Sequence, residues 1–158
     1  MAGETKMRRQ NAFLSTGLII FALFGCFRSQ TVESAIVARI NSCPNPSSCQ
    51  ISLRGATNFE WDQLYVFDGG DSKKDRELAL GIADDGYREF DGQFVFLQGH
   101  KIVHEENIPT NIEHPISGQV LFDVPDGHRF GIYPHDATFS VTIINGTGGR
   151  YYQLKQTK

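Results

Sequence analysis

Cysteine, tryptophan and clustered positive charge are all scarce in this chain, and so are the short motifs that mark an enzyme. Of 158 residues, three are Cys and one is Trp. Three cysteines rule out a dense disulfide scaffold and a four-thiolate zinc site. No C-x-x-C occurs, so the usual thiol redox arrangement is missing. There is no Walker A loop, no G-x-G-x-x-G fingerprint and no G-x-S-x-G nucleophile turn. The densest basic pair is Lys73-Lys74, flanked by Asp71 and Asp75. A nucleic-acid binder needs Lys and Arg gathered against phosphates, so that class is excluded. Internal repeats and low-complexity segments are absent too.

What is present begins with a basic start and a short apolar run. Lys6, Arg8 and Arg9 precede Ala12 to Gly25, which reads AFLSTGLIIFALFG without a charge. A membrane-spanning helix needs about 20 apolar residues. The 14 residues here are too few, and they fit the middle region of a secretory signal instead. Leu23-Phe24-Gly25-Cys26 is similar to the lipobox of bacterial lipoproteins, in which the Cys thiol is diacylglycerated and becomes the new N-terminus. Phe24 is bulkier than that pattern prefers; an ordinary leader cut nearby is the rival reading. Met7 is an alternative start, since Met7-Arg8-Arg9-Gln10 makes a compact basic head. Acyl chains contribute ~0.8 kcal/mol per buried CH₂, so a lipidated Cys26 would anchor the domain to a bilayer. No acid follows Cys26 directly, which favours the outer membrane in a Gram-negative cell.

The expected organisation is a lipoprotein-type signal peptide over 1–25, a membrane-proximal linker over 26–30 and one domain over 31–158. The whole chain carries 15 basic and 18 acidic residues. The leader holds three of the basic residues and one acid, Glu4, so the remainder has 12 basic and 17 acidic residues, net −5. With Cys26 set aside, Cys43 and Cys49 form an even pair in an exported chain, which reads as a disulfide. A zinc pair would sit two to four residues apart and need two further ligands.

Hydrophobic spacing gives the elements. Val32, Ala35, Ile36 and Ile40 recur at helical intervals after Thr31, a good cap, which predicts a helix over 31–41. Residues 50–53 alternate as a strand. Leu64-Tyr65-Val66-Phe67 has no polar break, as in a strand covered on both faces. Ser72 to Asp75 forms a capping-box pattern ahead of a second helix, with Leu78 and Ile82 on one face. Residues 94–97 and 102–104 form a hairpin across Gln98 to Lys101. A strand over 119–123 follows, and a last pair over 138–144 and 150–154 flanks Asn145-Gly146, a strong hairpin cue that also explains the Asn145-Gly146-Thr147 sequon as turn chemistry. The fold class is therefore α+β: a single domain with a mostly antiparallel β-sheet of six or seven strands and two short helices.

Phe59-Glu60-Trp61-Asp62-Gln63-Leu64-Tyr65-Val66-Phe67 resembles a segment shared by a family of small bacterial lipoproteins and exported proteins. Their pattern is a Cys pair, an F-x-W-D-x-Φ-Y-Φ-F strand (Φ meaning apolar), a helix, a hairpin and a C-terminal strand pair. Cys43 and Cys49, Phe96-Leu97 with Gly99, and Tyr151 to Leu154 match it, so the resemblance spans most of residues 43–154. It implies an address and an architecture, with no catalytic residues.

Trp61 and Asp62 are the candidate binding surface. Read functionally, the indole stacks a ligand and the carboxylate orients it. Read structurally, Trp61 plugs the core edge and Asp62 caps a turn, and that reading is the stronger. Five His residues raise the question of a metal. His100 and His104, in a turn and a strand, lie about 13 Å apart at strand rise and cannot share one ion. His114, His128 and His135 sit in loops. Asp84-Asp85-Gly86 lacks the EF-hand alternation. Asp62, Asp84, Asp85, Asp91 and Asp123 qualify for glycoside hydrolysis by type alone, and Ser117 and Ser140 have no nucleophile elbow. No metal site and no cofactor are expected.

These residues point to a non-catalytic envelope lipoprotein that binds or inhibits another envelope protein. The alternative is a small hydrolase or small-ligand binder with a pocket near Trp61 and Asp62. A purely structural envelope role is the third reading.

Overall fold

The computed structural model describes residues 30–45, 48–109, 116–124, 128 and 130–157. Residues 1–25, expected as a signal peptide, and Cys26 and His114 lie outside the described residues. The expected first helix is α1 (Val32–Asn41), and Thr31 caps it by accepting the Ser34 N–H at 3.1 Å. Val32, Ile36 and Ile40 recur every fourth residue and are buried, so this stripe docks on the core. Just past the helix, Cys43 and Cys49 are disulfide-bonded, with Cα atoms 5.8 Å apart. The chain then enters β1 (Gln50–Ser52). Leu53, expected in that strand, instead opens a 3-10 turn through Gly55 that buries its side chain.

Seven further strands follow: β2 (Gln63–Phe67), β3 (Gly92–Gln98), β4 (Lys101–Ile108), β5 (Val120–Phe122), β6 (Phe130–Pro134), β7 (Thr138–Gly146) and β8 (Gly149–Gln156). Together with β1 they form two four-stranded sheets among the described residues, ordered β1-β7-β8-β5 and β4-β3-β2-β6. Every pairing is antiparallel except β5 with β8, which is parallel. The result is a mostly antiparallel single α+β domain, with two short helices among the described residues.

Side-chain alternation decides how these layers stack. Leu64 and Val66 of β2, with Phe94 and Phe96 of β3, share one buried cluster with Phe139, Val141, Tyr152 and Leu154 of the other sheet. The two sheets therefore face each other, and α1 closes the same core. The intervening residues Tyr65, Phe67, Val95 and Leu97 point the other way and form a second cluster with Leu80. That residue belongs to α2 (Lys73–Leu80), which covers the outer face of the second sheet. Strand β2 is thus buried on both sides, as its unbroken apolar run requires.

Three details depart from the sequence expectation. Helix α2 turns Arg76 and Leu80 inward, whereas Leu78 is 81% exposed. The helix stops at Gly81, whose φ of 71° ends it in the left-handed region, so Ile82 lies beyond the helix. Strand β6 is an additional element. It reads FGIYP between turn residues, and only its pairing with β2 makes it a strand. Finally, Asn145 and Gly146 pair with Arg150 and Gly149, which places the last turn at Thr147-Gly148.

Candidate functional site

The Trp61-Asp62 corner lies where the chain enters β2. Trp61 is only 4% exposed. Its indole Nε1 donates to Thr57 Oγ1 at 2.9 Å, and its ring meets Phe96 edge-on at 5.2 Å. One side of the ring approaches His135 at 6.1 Å. Asp62 makes three bonds to three segments. Its N–H donates to the Leu97 carbonyl at 2.7 Å, and its carbonyl accepts the His135 N–H at 3.0 Å. Its carboxylate accepts the Gly99 N–H at 2.7 Å. Gly99 has a φ of 60°, a conformation that suits glycine at the tip of the β3–β4 hairpin. Asp62 therefore clamps that tip to the start of β2 and to the loop after β6.

Beside this corner lies a cleft of about 410 Å³ walled by Arg54, Asn58, Glu60, Trp61 and His135. Phe59 separates it from a second cleft of about 830 Å³ between α1 and the 3-10 turn. The Phe59 ring lies on His104 at 4.6 Å, and the Arg39 guanidinium donates to the Gly55 carbonyl at the far wall. His104 Nε2 is 3.7 Å from Glu106 Oε2. Asp62 itself does not line either cleft.

The other sequence candidates are dispersed. His100 sits at the β3–β4 turn, His104 on β4, His128 between β5 and β6, and His135 after β6. Among the described residues no three His, Cys, Asp or Glu side chains converge as a metal-binding group. Asp123 faces Lys155 at 3.5 Å on the surface, where such a pair contributes little. Ser140 donates its hydroxyl to the Lys155 carbonyl. Burial, with Asp123 as a lesser cause, pushes the Tyr133 phenol up to about 12, so it stays protonated at neutral pH.

A second polar centre went unseen in the sequence. Arg76 is fully buried. Its guanidinium donates to Gln93 Oε1 at 3.0 Å and to the carbonyls of Asp68 and Asp91 at 2.9 and 2.7 Å. The same group lies over the rings of Phe67 and Tyr87, 5.2 and 5.0 Å from their centroids. Asp84 and Gln93 are also fully buried. Glu105, on the neighbouring strand, has its carboxyl pushed up, first by burial and then by the charges of Asp84 and Asp85. The only sequence hint was a charged residue four positions before Leu80, which a helical pattern ordinarily assigns to solvent.

No protein-family model, curated protein or solved structure matches the chain. Among the described residues no helix is long and apolar enough to cross a membrane.

Proposed function

We propose that this protein is a non-catalytic lipoprotein of the bacterial cell envelope, anchored through Cys26, that binds or inhibits another envelope protein. The observation that carries this reading is the basic start followed by the uncharged run Ala12 to Gly25 and Cys26. The Cys43–Cys49 disulfide supports it, because structural disulfides persist in oxidising compartments. The resemblance at Phe59 to Phe67 favours the same address. In a Gram-negative host the anchor belongs in the outer membrane. With Trp61 buried, contact with a partner falls to the rim around it: Arg54, Asn58, Glu60 and His135.

A small-ligand binder or hydrolase is the second reading, and the cleft beside Trp61 is what favours it. Its mix of a guanidinium, a carboxylate, an imidazole and an aromatic wall suits a small polar ligand.

Two measurements test the proposal. Mass spectrometry of the mature protein should find an acylated N-terminal Cys26; an intact leader with Cys43 and Cys49 reduced overturns the envelope address. Crosslinked pull-down from intact envelopes should recover one stoichiometric partner, lost on Arg54→Glu. Repeated failure to recover any partner overturns the binding role.

A further inference from the structure

The corner between the loop after α2 and the outer face of β3 and β4 holds more negative charge than its partners neutralise. Asp84 is 0% exposed. Both its carboxylate oxygens are buried and accept no hydrogen bond among the described residues. A buried carboxylate without a partner is strongly unfavourable, so native proteins pair such groups or give them a metal. The strand register brings a second carboxylate to the same corner. Glu105 pairs across from Val95, whose side chain lies on the α2 side, so Glu105 shares that face with Gln93.

Gly86 shows how closely the loop sits on this carboxylate. A Cβ there would fall 1.7 Å from Glu105 Oε2 and 3.3 Å from Gln93 Nε2. Gln93 provides an observation independent of the acids. It is fully buried, its Oε1 is held by Arg76, and its Nε2 has no acceptor among the described residues. A donor fixed in place beside the Glu105 carboxylate suits a water or carboxylate oxygen bound to an ion.

We propose that Asp84 and Glu105 bind one calcium ion beneath the 84–86 loop, with Gln93 holding an oxygen of the ion's shell. The donor set decides the metal. It contains oxygen alone, whereas zinc sites are built mainly from His and Cys. Without a third converging carboxylate, the remaining ligands are backbone carbonyls and water, which calcium accepts in a shell of 6–8 oxygens. Magnesium demands stricter octahedral geometry and gives up its water reluctantly. So few charged ligands place the dissociation constant at about 10⁻⁴–10⁻³ M, the range of extracellular calcium modules.

Thermal unfolding of the full chain in detergent tests this, with calcium titrated at constant ionic strength and magnesium as the control. Calcium at tenfold or more above the dissociation constant should raise Tm by about 3–8 °C, and magnesium should not. Glu105→Gln, at a half-buried position, should weaken calcium binding at least tenfold while raising the metal-free Tm. Asp84→Asn should abolish the calcium shift. Should Asp84→Asn fail to fold, Glu105→Gln decides alone. An unchanged Tm in calcium, an equal shift in magnesium, or a calcium shift that survives Glu105→Gln overturns the proposal.

Discussion

The Glu106 carboxylate on β4 accepts the backbone N–H of Val32 at 2.6 Å, joining positions 74 residues apart. Its other oxygen accepts the Glu33 N–H at 3.2 Å. These are the first two amides of α1, which have no partner inside the helix, and the negative charge also suits the positive end of the helix dipole. Glu106→Ala should therefore lower stability by about 1–2 kcal/mol, measured by urea denaturation. Glu106→Gln should recover part of that loss through its amide oxygen.

The neighbouring Glu33 gives a pH dependence. Burial raises its carboxyl above the ordinary 4.5; the Val120 N–H works against this and the Glu106 charge adds to it. A carboxyl that binds its proton more tightly when folded contributes stability in full below 4.5. The contribution is lost as pH rises through the folded pKa. Glu33→Gln should remove that decline while keeping an acceptor for Val120. Denaturation curves from pH 4 upward, for both proteins at one ionic strength, would show it.

Asp62 should prove a structural clamp. Asp62→Ala removes the acceptor for Gly99 and should cost about 1–2 kcal/mol. The Gly99 amide should then lose its hydrogen-exchange protection. Asp62→Asn should restore much of the protection, because an amide oxygen can still accept.

Arg76→Lys should be poorly tolerated. Lysine cannot reach Gln93 and two carbonyls in one plane, and it stacks less well between Phe67 and Tyr87. The expected loss is about 3 kcal/mol, read as a drop in the urea midpoint.

Replacing both Cys43 and Cys49 with Ser should cost roughly 2 kcal/mol in the chain-entropy model. Reduction of the unaltered protein should lower its unfolding free energy by the same amount, read by urea denaturation. Agreement between the two would show that the bond, and not the serine hydroxyls, accounts for the change.

Where packing follows a simple period, the sequence was readable. The stripe Val32, Ile36, Ile40 and the cap at Thr31 specify α1 by local chemistry alone. The apolar run at Leu64 to Phe67 likewise announces burial on two faces. Helix α2 was harder because its inward position belongs to a charged residue. Arg76 is held there because Gln93 and two distant carbonyls accept from its two Nη atoms, and no local pattern reveals partners from other segments. Strand β6 is short and ends in proline, so its identity comes from β2. At the last hairpin the Asn-Gly cue found the right region, but the strand pairing carried on past it. Trp61 and Asp62 were legible as conspicuous residues, whereas the roles of Arg54 and His135 in the neighbouring wall depend on loops meeting in space.

The order of assembly follows from how the first sheet is strung. Gln50 of β1 finds its partner only at Ser140 of β7, and β5 waits for residues 152–154 of β8. Ile51 and Val120 therefore stay without their strand partners until β7 and β8 have been made. Assembly is therefore a late event, slow by its long-range pairings, and the emerging chain needs shelter from neighbours in the meantime.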